Sequence, residues 1–307
     1  MIGGSLDVET VILGGDRRSE SDAYIESARR RNVPLVIRAG GSHWPAVNKW
    51  SLDYVAQTCG SSEATCQLYG KTKPTLLRLP VDKAIERIKS GEHLYISEAT
   101  LRFGKIAEEA DLPMLAQDCI VPSHLEKKDF SLRVFMGRDT FASMHFHTGE
   151  PRKKVCYESF KIQIAGRKSV VLFSPDANLK AHSILWFNFS RIPFNEWFTD
   201  RTAIISRHPE LAAARAYEVT LEPGDLLFIP SYWWHSIYGS GMSISATIFW
   251  ADGEPEESAA ELHRSANYKS CRRTRSVLRC YGWLYERVMR CKNGIAMLAQ
   301  SSRRWVG

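Results

Sequence analysis

The run Met144-His145-Phe146-His147 places two imidazoles two residues apart in a stretch with the composition of a β-strand. In an extended chain, side chains at i and i+2 leave from one face, so both rings point the same way. A third histidine, His235, closes the run Pro230-Ser231-Tyr232-Trp233-Trp234-His235. That run follows the turn Pro223-Gly224-Asp225 and the apolar stretch Leu226-Leu227-Phe228-Ile229. Neutral imidazoles converging inside a β-barrel commonly hold zinc, iron or copper. One strand histidine alone is more often structural. An HxH pair, a glycine-lysine turn at Gly166-Arg167-Lys168 and a distal histidine together point to a metal site.

The elements that must carry these residues are legible as short β-type runs. Arg133–Met136, Ser143–His147, Phe160–Ile164, Ser169–Phe173, Tyr217–Leu221, Leu226–Ile229, Trp233–Ile237 and Ser243–Phe249 are separated by turn residues, which predicts a sandwich or barrel. Between Asp176 and Ala216 a longer mixed excursion predicts a lid or a helix-bearing insertion. Upstream, residues 19–32 read as a helix with acids early and bases late, and Leu35-Val36-Ile37 as a short strand. Leu52–Ala56 reads as a helix capped by Ser51, and residues 80–92 as a helix with Val81, Ala84, Ile85 and Ile88 on one stripe, closed by Gly91. Three units are expected: an N-terminal α+β segment (1–131) packed on the core, a β core (132–252), and a basic helical segment (253–307).

Hydrophobic content of 44% and charged content of 24% fit a folded globular chain. The net charge of +7 is uneven. Arg264 to Arg304 holds eleven Lys or Arg against the single acid Glu286, so the other residues together are net negative. The core therefore carries little electrostatic footprint for nucleic acid, while the basic tail keeps such a partner open. From Ser276 the tail sets Val277, Tyr281, Leu284 and Val288 on one helical stripe. Such a stripe packs on its own domain or on a twofold partner. Met1 to Asp16 has no signal-peptide pattern and no stretch is long and apolar enough for a membrane span, so a cytoplasmic protein with no membrane partner is expected. The seven cysteines are scattered and never spaced as CxxC, which predicts free thiols.

Residues 132–250 resemble the JmjC-like, cupin-8 type of iron(II) and 2-oxoglutarate dependent oxygenases, most specifically in the PGD…IP…WWH stretch. Trp44-Pro45-Ala46 through Lys49-Trp50-Ser51-Leu52-Asp53-Tyr54 to Gly60, and Leu94–Leu101, are similar to the N-terminal region of the hypoxia-inducible factor asparaginyl hydroxylase type. The resemblance implies a double-stranded β-helix (cupin, jelly-roll) core with flanking helices, mainly β. It implies Fe(II) held by His145, His147 and His235, with 2-oxoglutarate as cosubstrate and O2 as oxidant. It implies that Lys168 pairs with the distal carboxylate of 2-oxoglutarate and that Tyr95 hydrogen-bonds the same group. A peptide, protein side chain or small metabolite would be the substrate, and the assembly a homodimer.

The family pattern is HxD…H, and here His147 stands where the aspartate would be. A neutral imidazole leaves the centre one unit more positive than a carboxylate would. Gly149–Cys156 reads as an insertion beside the pair, carrying Glu150 and the bases Arg152, Lys153 and Lys154, and Ala142 replaces a hydroxyl that would contact the cosubstrate. Three readings follow. One is a 2-oxoglutarate oxygenase on a three-histidine iron. The next is a three-histidine enzyme without that cosubstrate, either a direct dioxygenase or a zinc hydrolase. The last is a non-catalytic binding protein.

Overall fold

The computed structural model describes residues 6–13, 17–69, 75–101, 113–125, 130–179 and 188–277. Of the expected tail stripe, Tyr281, Leu284 and Val288 lie outside the described residues.

Strands β1 (Leu6–Asp7) and β2 (Glu9–Ile12) precede helix α1 (Arg17–Arg31), whose Glu20 lies in the first turn and Arg29–Arg31 in the last, complementing the helix dipole. β3 (Leu35–Arg38) and the short α2 (Pro45–Lys49) follow. In α3 (Leu52–Cys59), Tyr54 N donates to the Ser51 Oγ cap at 3.1 Å. β4 (Glu63–Leu68) and β5 (Thr75–Pro80) form an antiparallel pair. In α4 (Val81–Lys89), Val81, Ala84, Ile85 and Ile88 are all buried, the expected stripe, and Gly91 ends the turn at φ +96°. β6 is Leu94–Leu101. The Lys49-Trp50…Tyr54 run has a structural use: Lys49 Nζ, Trp50 Nε1 and Tyr54 Oη all donate to the buried Asp118 carboxylate at 2.8, 3.0 and 2.7 Å.

The rest of the β structure is β7 (Phe130–His145), β8 (Gly149–Glu150), β9 (Val155–Phe173), β10 (Ala216–Leu221), β11 (Leu226–Ile229) and β12 (Trp234–Gly253). The sheet runs β2-β3-β11-β9-β12-β7-β6-β4-β5, with β1, β8 and β10 joined at its sides. β3 pairs with β11 and β6 with β7, so strands from both sides of residue 131 share one sheet.

Runs expected as separate strands are fused: three long strands replace six short ones. The turn residues between the runs are bends instead of chain reversals. Asp139, Gly166 and Gly241 have φ of +48°, +67° and +65°, and the β12 register shifts against both β7 and β9 at this level. Gly166 is obligatory, since a Cβ there would lie 2.0 Å from Met242 O. Asp139 secures the corner, its carboxylate accepting from Gly241 N at 2.7 Å.

Alternation then sorts the faces. On one side of the bend, Leu132, Val134 and Met136, Phe160, Ile162 and Ile164, and Ile244, Ala246 and Ile248 form one cluster with Ile25, Ala28, Val55, Ile85 and Ile88 of the helical layer. Each such isoleucine contributes about 1.5–3 kcal/mol by burial. The opposite face of the same strands is polar yet buried: Ser159, Lys161 and Gln163 on β9, Ser243, Ser245 and Thr247 on β12. Val170 and Leu172 past the bend join Leu221, Leu227, Ile229 and Trp233 in a second apolar cluster, and Phe146, Val171, Phe173 and Trp234 form a third. The third is covered from the 176–216 excursion, which carries α5 (Asn195–Thr199), α6 (Arg201–Arg207) and α7 (Glu210–Ala213) and contributes Phe194, Trp197, Ile204 and Leu211. α8 (Ala259–Arg264) and a helical stretch at 266–277 end the described chain. The five described cysteines are free.

Candidate metal centre

His145 ends β7 directly opposite His235 at the start of β12. His147 follows two residues on, so the HxH face brings its ring to the same place. One ligand atom from each of the three lies within 4.8 Å of the others. Their ring centroids are 4.2 Å (His145–His235), 4.5 Å (His147–His235) and 5.6 Å (His145–His147) apart.

Orientation is set from behind. His145 Nδ1 lies 2.7 Å from Ser143 O and His235 Nδ1 lies 3.0 Å from Trp233 O. A carbonyl only accepts, so both Nδ1 atoms carry a proton and each Nε2 is the atom left to face the centre, the usual support for a metal-binding imidazole. Burial, and then the neighbouring His145, hold His147 and His235 well below the ordinary imidazole range. Lys161 and Arg133 push His147 further in the same direction. His147 Nδ1 is itself buried with no hydrogen-bond partner. Two rings kept neutral by burial, ring nitrogens converging from three histidines and a buried nitrogen in need of a partner fit a divalent metal ion.

The Ser231–His235 run holds this geometry through its aromatics. Tyr232, at φ +67°, donates its backbone N–H to His147 O at 2.8 Å. Trp233 Nε1 donates to Asn32 O at 2.8 Å, and Trp234 Nε1 to Ala177 O at 3.1 Å. Trp234 also meets Phe146 edge-on at 4.7 Å, so the residue between the two proximal histidines is clamped. At the head of β11, Asp225 of the Pro-Gly-Asp turn accepts from Arg38, from Ala39 N at 3.0 Å and from Glu222 N at 2.9 Å.

Lys168 is fully buried, its Nζ donating to Ser245 Oγ at 2.6 Å and sitting 5.7 Å from the centre of the Tyr95 ring. The expected pair is thus brought together on the polar inner face. Glu150 is turned elsewhere: it accepts from Tyr157 Oη at 3.1 Å and pairs with Lys153 at 3.2 Å. Among the described residues, the three histidines are the one cluster of metal-binding side chains.

Four neighbours escaped the sequence reading. Phe189, from the excursion, stacks on His145 at 5.3 Å and 17°, and its backbone bridges to that strand. Phe249 meets His147 edge-on at 5.3 Å, with the Arg133 guanidinium 5.1 Å from the Phe249 ring. Lys161 lies buried on the same inner face as Lys168. Phe249 and Lys161 sit on the inner face of alternating strands, which alternation alone does not tell from a solvent face, and Phe189 had no local signal.

Residues 21–255 match the cupin-like domain family. The chain belongs to that family. It is 28% identical over 248 residues to a tRNA wybutosine-synthesizing protein 5 from Gallus gallus, covering 75% of this chain and 74% of that one. A lysine-specific demethylase 8 from Xenopus tropicalis is 23% identical over 71% of this chain and 48% of that protein. A bifunctional peptidase and (3S)-lysyl hydroxylase from Homo sapiens is 24% identical over 73% of this chain and 78% of that one. The JmjC resemblance therefore holds, with relatives named for enzymes. No helix among the described residues is long and apolar enough to cross a membrane.

Proposed function

We propose that this cupin-like protein is a non-haem iron(II) and 2-oxoglutarate dependent oxygenase of the hydroxylase type, working from a three-histidine centre. The observation that carries the reading is one inner face holding three convergent imidazoles together with a buried ammonium, Lys168, beside Tyr95. His145, His147 and His235 would hold the metal, and Lys168 with Tyr95 the distal carboxylate of the cosubstrate. Iron(II) held there with a 2-oxo acid would supply oxygen activation and abstraction of hydrogen from an unactivated carbon.

The chain's own residues do the rest. The Nδ1–H bonds of His145 and His235 to backbone carbonyls fix both rings before anything binds. Lys168 sets the distal end of the cosubstrate, and so the direction from which its other end meets the metal. Phe189 packs on the His145 ring and Phe249 on the His147 ring, limiting how those rings turn. As substrate we favour a peptide or protein side chain or a small metabolite. For tRNA, named for relatives at 28% identity, the exposed Arg152, Lys153 and Lys154, with Arg152 bonded to Ser276 of the C-terminal helical stretch at 3.3 Å, are where phosphates would dock.

His147 in place of a carboxylate favours one second reading, a three-histidine enzyme that dispenses with 2-oxoglutarate and works as a direct dioxygenase or zinc hydrolase. Oxygen uptake by iron-loaded protein decides between them. The proposal expects uptake that requires 2-oxoglutarate and falls at least about 100-fold in Lys168→Ala. Product formed without oxygen, or uptake indifferent to 2-oxoglutarate, would overturn it.

A further inference from the structure

The polar inner face carries a second buried lysine that the function above does not use. Lys161 on β9 is 5% exposed, stands opposite Thr247 in register, and donates to Thr247 Oγ1 at 2.6 Å. Its Nζ lies 4.8 Å from the centre of the Phe135 ring, which stacks at 6.0 Å on the Tyr95 ring that faces Lys168. The two hydroxyl acceptors, Ser245 and Thr247, are two residues apart on one face of β12, about 7 Å in an extended strand. Two ammonium groups therefore address the same interior. Among the described residues neither makes an ion pair with a carboxylate; each has one neutral hydroxyl and one aromatic face.

Burying one ammonium without a counter-charge costs several kcal/mol, and a second beside it costs more because like charges repel in a low dielectric. Arg133 and a metal held by three neutral ligands add further positive charge. A fold meets such a cost by releasing the proton or by binding an anion that completes the site. We propose that Lys161 and Lys168 form a two-lysine cradle for the remote anionic end of the ligand bound at the metal, so that the site selects ligands with at least two negative charges. The inference rests on the proposed metal-centred reading for where the ligand's other end sits. It adds Lys161 as the residue that sets charge selectivity.

The test uses the full chain loaded with manganese(II), which binds without turnover. Thermal unfolding and calorimetric titration are run with 2-oxoglutarate, the monoanion 2-oxobutyrate, succinate, citrate and inorganic phosphate, on the parent, Lys161→Met, Lys161→Arg and Lys168→Met. Stabilisation of the parent by dianions and not by 2-oxobutyrate is expected, with affinity falling roughly 10- to 100-fold in Lys161→Met and recovering in part in Lys161→Arg. Without ligand, Lys161→Met should melt at or above the parent's temperature, which separates lost binding from lost folding. If 2-oxoglutarate binds the parent and Lys161→Met alike, the cradle is refuted while the cosubstrate reading stands. If 2-oxoglutarate fails and another dianion binds through Lys161, the cosubstrate reading falls and the cradle stands. Binding of no anion in the panel would overturn the cradle.

Discussion

Lys161 shows how burial alone sets a residue's chemistry. Desolvation brings its ammonium down to about 7, whereas the unfolded side chain titrates near 10.4. Between those values the unfolded chain binds a proton that the native state does not, so native stability rises with pH across that window, by up to about 1.4 kcal/mol per pH unit. Below pH 7 the full penalty is present. Urea titrations of ligand-free protein at pH 7 and pH 9.5 should show a gain in the parent that shrinks in Lys161→Met; an unchanged gain would place the effect on other groups. A bound carboxylate favours the charged lysine, so anion binding near neutral pH should take up a proton. Trp234 is the counterpart on the apolar side. Removing its indole from the Phe146 contact and the Ala177 bond should cost about 3–5 kcal/mol in Trp234→Ala, with metal affinity falling as His145 and His147 loosen.

At the scale of elements, the bends decide where side chains go. A Cβ at Gly166 meets a backbone carbonyl and its φ is left-handed, so Gly166→Ala should destabilise by about 1–3 kcal/mol by denaturant midpoint. Gly91 has φ +96° and open space around a Cβ, so Gly91→Ala should show conformational strain alone and cost less. The helices were legible because their apolar spacing and caps are local: Ser51, Gly91 and the Val81–Ile88 stripe each act within a turn or two. His145 and His147 were legible because spacing of two on a strand is also local, and His235 because it closes a run with a local turn signal, Pro223-Gly224-Asp225, before it. Strand lengths were not, since Gly166 and Gly241 look the same in sequence whether the chain reverses or folds over while keeping its partners. Lys161 was not, because one lysine in Phe160–Ile164 reads as the solvent side of an alternating strand. Burial of both faces follows only from the closure of the sheet. Phe189 reaches His145 through a tertiary contact that no local pattern carries.

For the whole molecule, one sheet drawn from both sides of residue 131 joins the histidine cluster to the N-terminal layer, so unfolding in a single transition is expected. Metal at 100 times its dissociation constant should add about 2.7 kcal/mol, raising the melting temperature by about 4 °C for a chain of this size. A chelator should reverse this in the parent and have no effect in His235→Ala. A homodimer, if the chain forms one, is proposed to be built on the basic C-terminal segment. Light scattering of the full chain against a truncation after Ser276 should show a dimer becoming a monomer, and a truncated dimer would place the contact elsewhere. The central claim, that three histidines and Lys168 share one ligand, is tested most directly by anaerobic reconstitution with iron(II) and the visible charge-transfer absorption on adding 2-oxoglutarate. A band in the parent that is lost in Lys168→Ala is the predicted result; no band in the parent, with one gained in His147→Asp, would contradict it.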